Sequence, residues 1–75
     1  MSVVYTQQEH ARCKWPPGRS GERFHSLEEA KTGCHELPGC TMVYERSGSF
    51  YTCPVGSTIE SLGGYTLYTA IGKLS

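Results

Sequence analysis

The chain has 75 residues, 37% of them hydrophobic, and its seven Lys/Arg balance seven acidic residues to a formal net charge of zero. That describes one small domain (1–75) with a thin core, where burial and chain entropy nearly cancel and a covalent or metal staple is usually needed. The charge balance argues against nucleic-acid binding driven by bulk charge, and no apolar run approaches the roughly 18 residues of a membrane span. The chain is too short for a dinucleotide-binding unit plus a substrate domain, or for a barrel enzyme. It contains neither Asp nor Asn, which excludes an EF-hand loop, a paired-Asp site, a Ser-His-Asp triad and an N-glycosylation sequon.

In chain order, Ser2 to Thr6 contains Val3, Val4 and Tyr5, a β-prone run that predicts a terminal strand. Gln7 to Lys14 is polar and shows no usable period. Trp15-Pro16-Pro17-Gly18 is a break, because neither proline can donate to a ladder. Arg19 to Gly21 continues this loop, and Glu22 to His25 reads as a brief extended piece. Ser26-Leu27-Glu28-Glu29 is a capping box, and Leu27, Ala30, Cys34 and Leu37 follow at helical intervals. Glu28 and Glu29 suit the positive start of a helix, while Gly33 weakens its last turn and Pro38-Gly39 stops it, predicting a helix over 27–36.

Cys40 to Glu45 alternates, with Cys40, Met42 and Tyr44 on one face and Thr41, Val43 and Glu45 on the other. Arg46-Ser47-Gly48-Ser49 is turn chemistry, and Phe50 to Cys53 is β-prone again, predicting a hairpin. Pro54 to Gly64 reads as a Gly/Ser-rich loop. Tyr65 to Ile71 then closes the chain as a strand, with Tyr65, Leu67, Thr69 and Ile71 facing one way. The result is an α+β arrangement: one helix on a small antiparallel sheet.

Twenty, five and twelve residues separate the successive cysteines Cys13, Cys34, Cys40 and Cys53. None of these gaps lets a single turn present two thiolates to zinc, and His10, His25 and His35 add no recognised interval, so no metal or cofactor is expected. An even count in a short chain reads as a disulfide framework, for which three connectivities are open. No secretory signal is visible in the polar first residues. The cysteine density nevertheless favours a mature secreted form carrying an added Met over an intracellular protein with free thiols.

The stretch Ser26-Leu27-Glu28-Glu29-Ala30-Lys31-Thr32-Gly33-Cys34, the link His35 to Gly39, the strand Cys40-Thr41-Met42-Val43-Tyr44 and the closing Tyr65-Thr66-Leu67-Tyr68 resemble the PAN/Apple family. The match runs from Phe24 to Lys73, about two-thirds of the chain. The resemblance implies a single helix packed across a curled antiparallel sheet and a helix-to-sheet disulfide between Cys34 and Cys40. Many members carry a second helix cysteine where this chain has Ala30. That departure leaves Cys53 without its usual partner and makes Cys13 the candidate. Loops closed by 34–40 and 13–53 bridges would contribute up to about 2.4 and about 3.9 kcal/mol by chain entropy. Modules of this family are non-catalytic and bind proteins or carbohydrates, often sulfated glycans, outside the cell. No binding residue carries over, because the family shares no single ligand site.

Arg12, Lys14, Trp15, Arg19, Arg23 and His25 gather cations and the one indole ahead of the helix. Trp15 is able to stack on a sugar face, and Arg12, Lys14, Arg19 and Arg23 to meet sulfate or carboxylate. The competing reading makes Trp15 a core residue and the charges a solvated loop. Tyr44, Tyr51, Tyr65 and Tyr68 lie on predicted strands, as contact residues or as cross-strand packing. No nucleophile elbow, metal motif or phosphate-cradling loop is present, so an enzyme is not expected. The expectation is an extracellular, lectin-like carbohydrate-binding module, possible as a homodimer that gains avidity by pairing. A protein–protein interaction module is the alternative. A small protease inhibitor presenting Arg19-Ser20 is a third reading.

Overall fold

The computed structural model describes residues 4–71. Ser2 and Val3 of the expected first strand, and Lys73 at the end of the family resemblance, lie outside the described residues. Strands and helix follow as β1 (Val4–Lys14), β2 (Arg23–Phe24), α1 (Leu27–Glu36), β3 (Met42–Arg46), β4 (Ser49–Thr52) and β5 (Thr58–Ile71). Every pairing is antiparallel, in the order β1-β5-β3-β4-β2, with α1 on one face. The expected α+β class, one helix on a small curled antiparallel sheet with disulfide staples, is the fold observed.

The helix starts where its sequence dictates. Ser26 is extended (φ −143°), and its hydroxyl accepts a hydrogen bond from the Glu29 amide at 3.2 Å, satisfying one of the free donors of the first turn. At the other end the Leu37 amide donates to the Cys34 carbonyl, and Gly39 takes φ +77° to turn the chain back. Ala30 and Cys34 are buried against Cys40 and Val43, with Phe24, Leu27, Leu37, Phe50 and Tyr68 around them. Gly33 has a structural reason to be glycine: a Cβ there would come within 2.5 Å of Phe24 Cζ, so its absence lets the β2 ring seat directly on the helix.

The sheet divides the core into two layers. Val43 faces the helix, whereas Tyr44 faces away and packs with Ala11, Cys13, Cys53 and Leu67. The expected alternation of β3 holds from Met42 onward but not at Cys40. That residue precedes the strand and lies on the helix side, held there by its bridge to Cys34 (Cα–Cα 5.2 Å). The β3–β4 hairpin closes with Arg46 opposite Ser49. Ser47 and Gly48 both have positive φ (50° and 83°), the type I′ pattern whose twist matches the flanking strands.

Two strands extend well beyond their expected limits. Gln7 to Lys14, without a period in the sequence, continues β1, and Thr58 to Gly64, expected as loop, is the first part of β5. Both belong to the sheet margin, where Thr6 to His10 are exposed and even Ile59 and Leu62 remain in solvent. Such positions need no apolar alternation, and polar residues on an edge discourage pairing with another chain. Gly63-Gly64, expected as the end of that loop, is absorbed instead as a bulge. Between the pairs Glu9↔Thr66 and Ala11↔Ser61, β1 has only His10 (φ 60°), while β5 has residues 62–65, including Gly64 at φ +87°.

That irregularity bends both strands at one level. In a flat sheet, β1 and β4 stand three strand spacings apart, about 14 Å. Yet Cys13 of β1 and Cys53, just past β4, have Cα atoms 6.2 Å apart and form the second disulfide. The outer half of the β1–β5 ribbon therefore curls over the face opposite the helix. The β2 end is fastened differently. The Glu22 amide donates to the buried Thr52 hydroxyl at 2.9 Å, and the Thr52 amide donates to the Glu22 carbonyl at 3.0 Å. Gly21 lies so close to the Thr52 carbonyl that no Cβ fits. Gly21→Ala should therefore cost at least about 2 kcal/mol and lower the melting temperature by about 10 °C or more, measured by thermal denaturation.

Candidate functional site

The curl brings four aromatic rings together on the face away from the helix. Tyr44 and Tyr51, directly paired across β3 and β4, stack with centroids 5.0 Å apart. Trp15, in the loop just after β1, lies 6.3 Å from each of them, tilted on Tyr44 and edge-on to Tyr51. Tyr65, from the β5 bulge, completes the group at 5.7 Å from Tyr44. Offset and edge-to-face contacts at these distances are the favourable aromatic geometries. Tyr44 is buried at the centre, while Trp15, Tyr51 and Tyr65 are half-buried around it.

Two guanidiniums approach Tyr65, that of Arg12 at 5.0 Å from the ring centroid and that of Arg46 at 5.7 Å. Arg12 also donates to the Tyr65 hydroxyl at 3.2 Å and meets Glu60 at 3.5 Å in a partly exposed ion pair. An ion pair this exposed contributes little by itself. The π-face of Tyr65 therefore matters more for holding Arg12. Arg12 Nε and Trp15 Nε1 are buried without a hydrogen-bond partner. Among the described residues the cluster carries two guanidiniums against one carboxylate, so its electrostatic preference is for an anionic or hydroxyl-rich ligand.

The residues singled out in the sequence do not form one patch. Arg12 and Trp15 belong to the aromatic cluster, and the Trp15 ring packs against its buried core. Lys14 ends β1, exposed and paired with Thr58. Arg19 borders a hollow of about 360 Å³ with Leu37, Pro38, Pro54 and Val55. Arg23 and His25 line a shallower hollow of about 580 Å³ on the helix side, beside Glu28, Glu29 and Glu36. Of the strand tyrosines, Tyr44, Tyr51 and Tyr65 converge, whereas Tyr68 packs on the helix side. Arg46, read in the sequence only as part of a turn, joins the cluster. Its proximity to Tyr65 is set by the order of β3 and β5 in the sheet and has no local signal.

All four cysteines are in disulfides, so no thiolate is free for metal or nucleophilic chemistry. No helix among the described residues is long and apolar enough to cross a membrane. No family model matches the chain, and no curated protein or solved structure is significantly similar to it.

Burial pushes the Tyr44 phenol above its ordinary value of 10.0. The Arg12 guanidinium opposes this shift, and neighbouring Tyr51 and Tyr65 add to it. Burial raises Tyr5 as well, and burial together with Glu45 raises Tyr68. The fold thus prefers neutral phenols, while the unfolded chain gives up its protons at lower pH. Stability should be intact below about pH 10 and fall as the pH rises toward the folded-state values. Tyr44→Phe should make this alkaline decline shallower without abolishing it, because Tyr5 and Tyr68 still titrate. Melting temperatures of both proteins from about pH 8 to 11 measure the difference.

Proposed function

We propose that the protein is a non-catalytic binding module of PAN/Apple type, working outside the cell, whose ligand is carbohydrate. The observation that carries this reading is the aromatic cluster of Trp15, Tyr44, Tyr51 and Tyr65 bordered by Arg12 and Arg46. The apolar C–H face of a sugar ring stacks on half-buried Tyr51, which is held by its stack on Tyr44 and by the edge contact with Trp15. The guanidiniums supply several donors in a rigid fork to hydroxyl or acidic substituents. The helix laid across a curled sheet and the Cys34–Cys40 bridge support the PAN/Apple assignment. Two buried disulfides in so small a domain suit an oxidising, extracellular setting.

Binding of this kind needs no cofactor. Its advantage is rigidity: the rings are positioned before the ligand arrives, so little ordering cost is left to association. Pairing of modules would raise a weak single-site affinity by effective concentration.

A glycan array containing neutral, sialylated and sulfated structures, read at low and high salt, tests this reading. Selective binding is expected. Tyr51→Ala should weaken it by about tenfold, while Arg46→Ala should reduce its salt sensitivity. Far-UV circular dichroism and an unchanged cooperative melt confirm that each variant keeps its fold. A blank array would overturn carbohydrate as the ligand in favour of a protein partner.

A further inference from the structure

The sequence Arg-Ser-Gly occurs twice, at 19–21 and 46–48, and the structure gives the two copies opposite settings. Arg46-Ser47 lies in the type I′ turn, with Ser47 at φ 50°, a conformation that cannot be read as an extended strand. Arg19 and Ser20 are both exposed, and neither has positive φ. Among the described residues the Arg19 guanidinium has no ion-pair partner.

The segment carrying Arg19 is fastened on both sides to the same short stretch of chain. Upstream, Cys13 is bridged to Cys53, and Trp15 packs into the aromatic cluster. The turn that follows is closed by the Arg19 amide donating to the Pro16 carbonyl at 3.2 Å, with Gly18 at φ +77°. Pro17 ahead of a positive-φ glycine is the pattern of a type II turn. Downstream, Gly21 is seated against the Thr52 carbonyl, and Glu22 exchanges two hydrogen bonds with Thr52, the residue next to Cys53. Residues 15–21 thus form a loop whose two ends are held at Thr52-Cys53, one covalently and one through backbone pairing that continues into β2–β4.

We propose that this loop is a reactive-site loop for serine proteases of trypsin-like specificity, with Arg19 entering the acidic specificity pocket and Arg19–Ser20 as the scissile bond. Attack by the protease serine on the Arg19 carbonyl carbon breaks the Arg19–Ser20 C–N bond. The serine's proton passes through the protease histidine to the Ser20 amine, leaving an acyl-enzyme. In a flexible substrate that amine diffuses away and water completes hydrolysis. Here the new Ser20 terminus is held by Gly21 and Glu22 against Thr52, and the acyl side by the Cys13–Cys53 bridge. The amine therefore stays within reach and attacks the ester, restoring the peptide bond and the serine hydroxyl. A pre-ordered loop also pays little entropy on docking, so binding is tight while turnover is slow. Arg19 and Ser20 lie outside the aromatic cluster, although Trp15 belongs to both the loop and the cluster, so Arg19 variants test the loop without altering the Tyr51–Tyr65 face.

The test uses the full oxidised chain with trypsin and chymotrypsin. Stoichiometric inhibition of trypsin is expected, with intact protein recovered after prolonged incubation. Arg19→Ala should weaken inhibition by about 100-fold or more, and Arg19→Phe should transfer it to chymotrypsin, whose pocket is apolar. Because Arg19 is exposed, both variants should retain the wild-type near-UV spectrum. Absence of inhibition at large molar excess, or cleavage after Arg19 as fast as in the reduced, unfolded chain, would overturn the proposal.

Discussion

Cys13 and Cys53 are drawn together across a sheet that, laid flat, would hold their strands well apart, and this closure determines much of the remaining architecture. For the bridge to form, β1 and β5 must bend, and they do so together at His10 and the Leu62–Tyr65 bulge. The bend swings Ala11 and Cys13 over Tyr44 and Leu67, giving a second buried layer to a domain whose helix covers only the opposite face. A chain this short has too few apolar residues to enforce such a curl by burial alone. The covalent link does so by removing open conformations from the unfolded ensemble.

The candidate site is a by-product of the same closure. Tyr44 and Tyr51 are ordinary cross-strand neighbours, but Trp15 reaches them because Cys13, two residues earlier, is tied beside β4. Tyr65 reaches Tyr44 from within the bulge that permits the bend. Arg12 follows Tyr65, exchanging full hydration for a ring face and a phenolic oxygen. The rigidity of the surface and the stability of the fold therefore have one origin. The 15–21 loop shares it, since Cys53 and Thr52 anchor its two ends.

Where the chemistry is local, the sequence is easy to read. Ser26 and Glu29 mark the helix start, Leu27, Ala30, Cys34 and Leu37 its buried stripe, and Arg46 to Ser49 the hairpin turn, because each depends on residues within one or two turns of itself. The outer halves of β1 and β5 are hidden for the opposite reason. Thr6–His10 and Thr58–Gly64 lie at the margin and largely face solvent, so they carry no alternation, whereas Ala11 and Cys13, buried beside Arg12 and Lys14, alternate over too few residues to set a period. Gly63-Gly64, expected as the end of a loop, lies instead inside β5, where the sheet uses it as a bulge. In the site, Arg12 and Trp15 are identifiable as chemistry-bearing residues, and the tyrosines as strand residues. Their convergence, the inclusion of Arg46 and the separation of Arg19 and Arg23 all follow from long-range closure, which no local pattern encodes.

The most direct test of this account is whether the bridge assembles the aromatic face. Proton–proton NOEs between the Trp15 indole and the Tyr44 and Tyr51 rings should be present in the oxidised protein. In a Cys13→Ser/Cys53→Ser variant they should be lost, while NOEs linking α1 to Val43 and Phe50 persist. Retention of the Trp15–Tyr44 and Trp15–Tyr51 contacts in that variant would contradict the account, because the curl would then be enforced by packing and not by the disulfide.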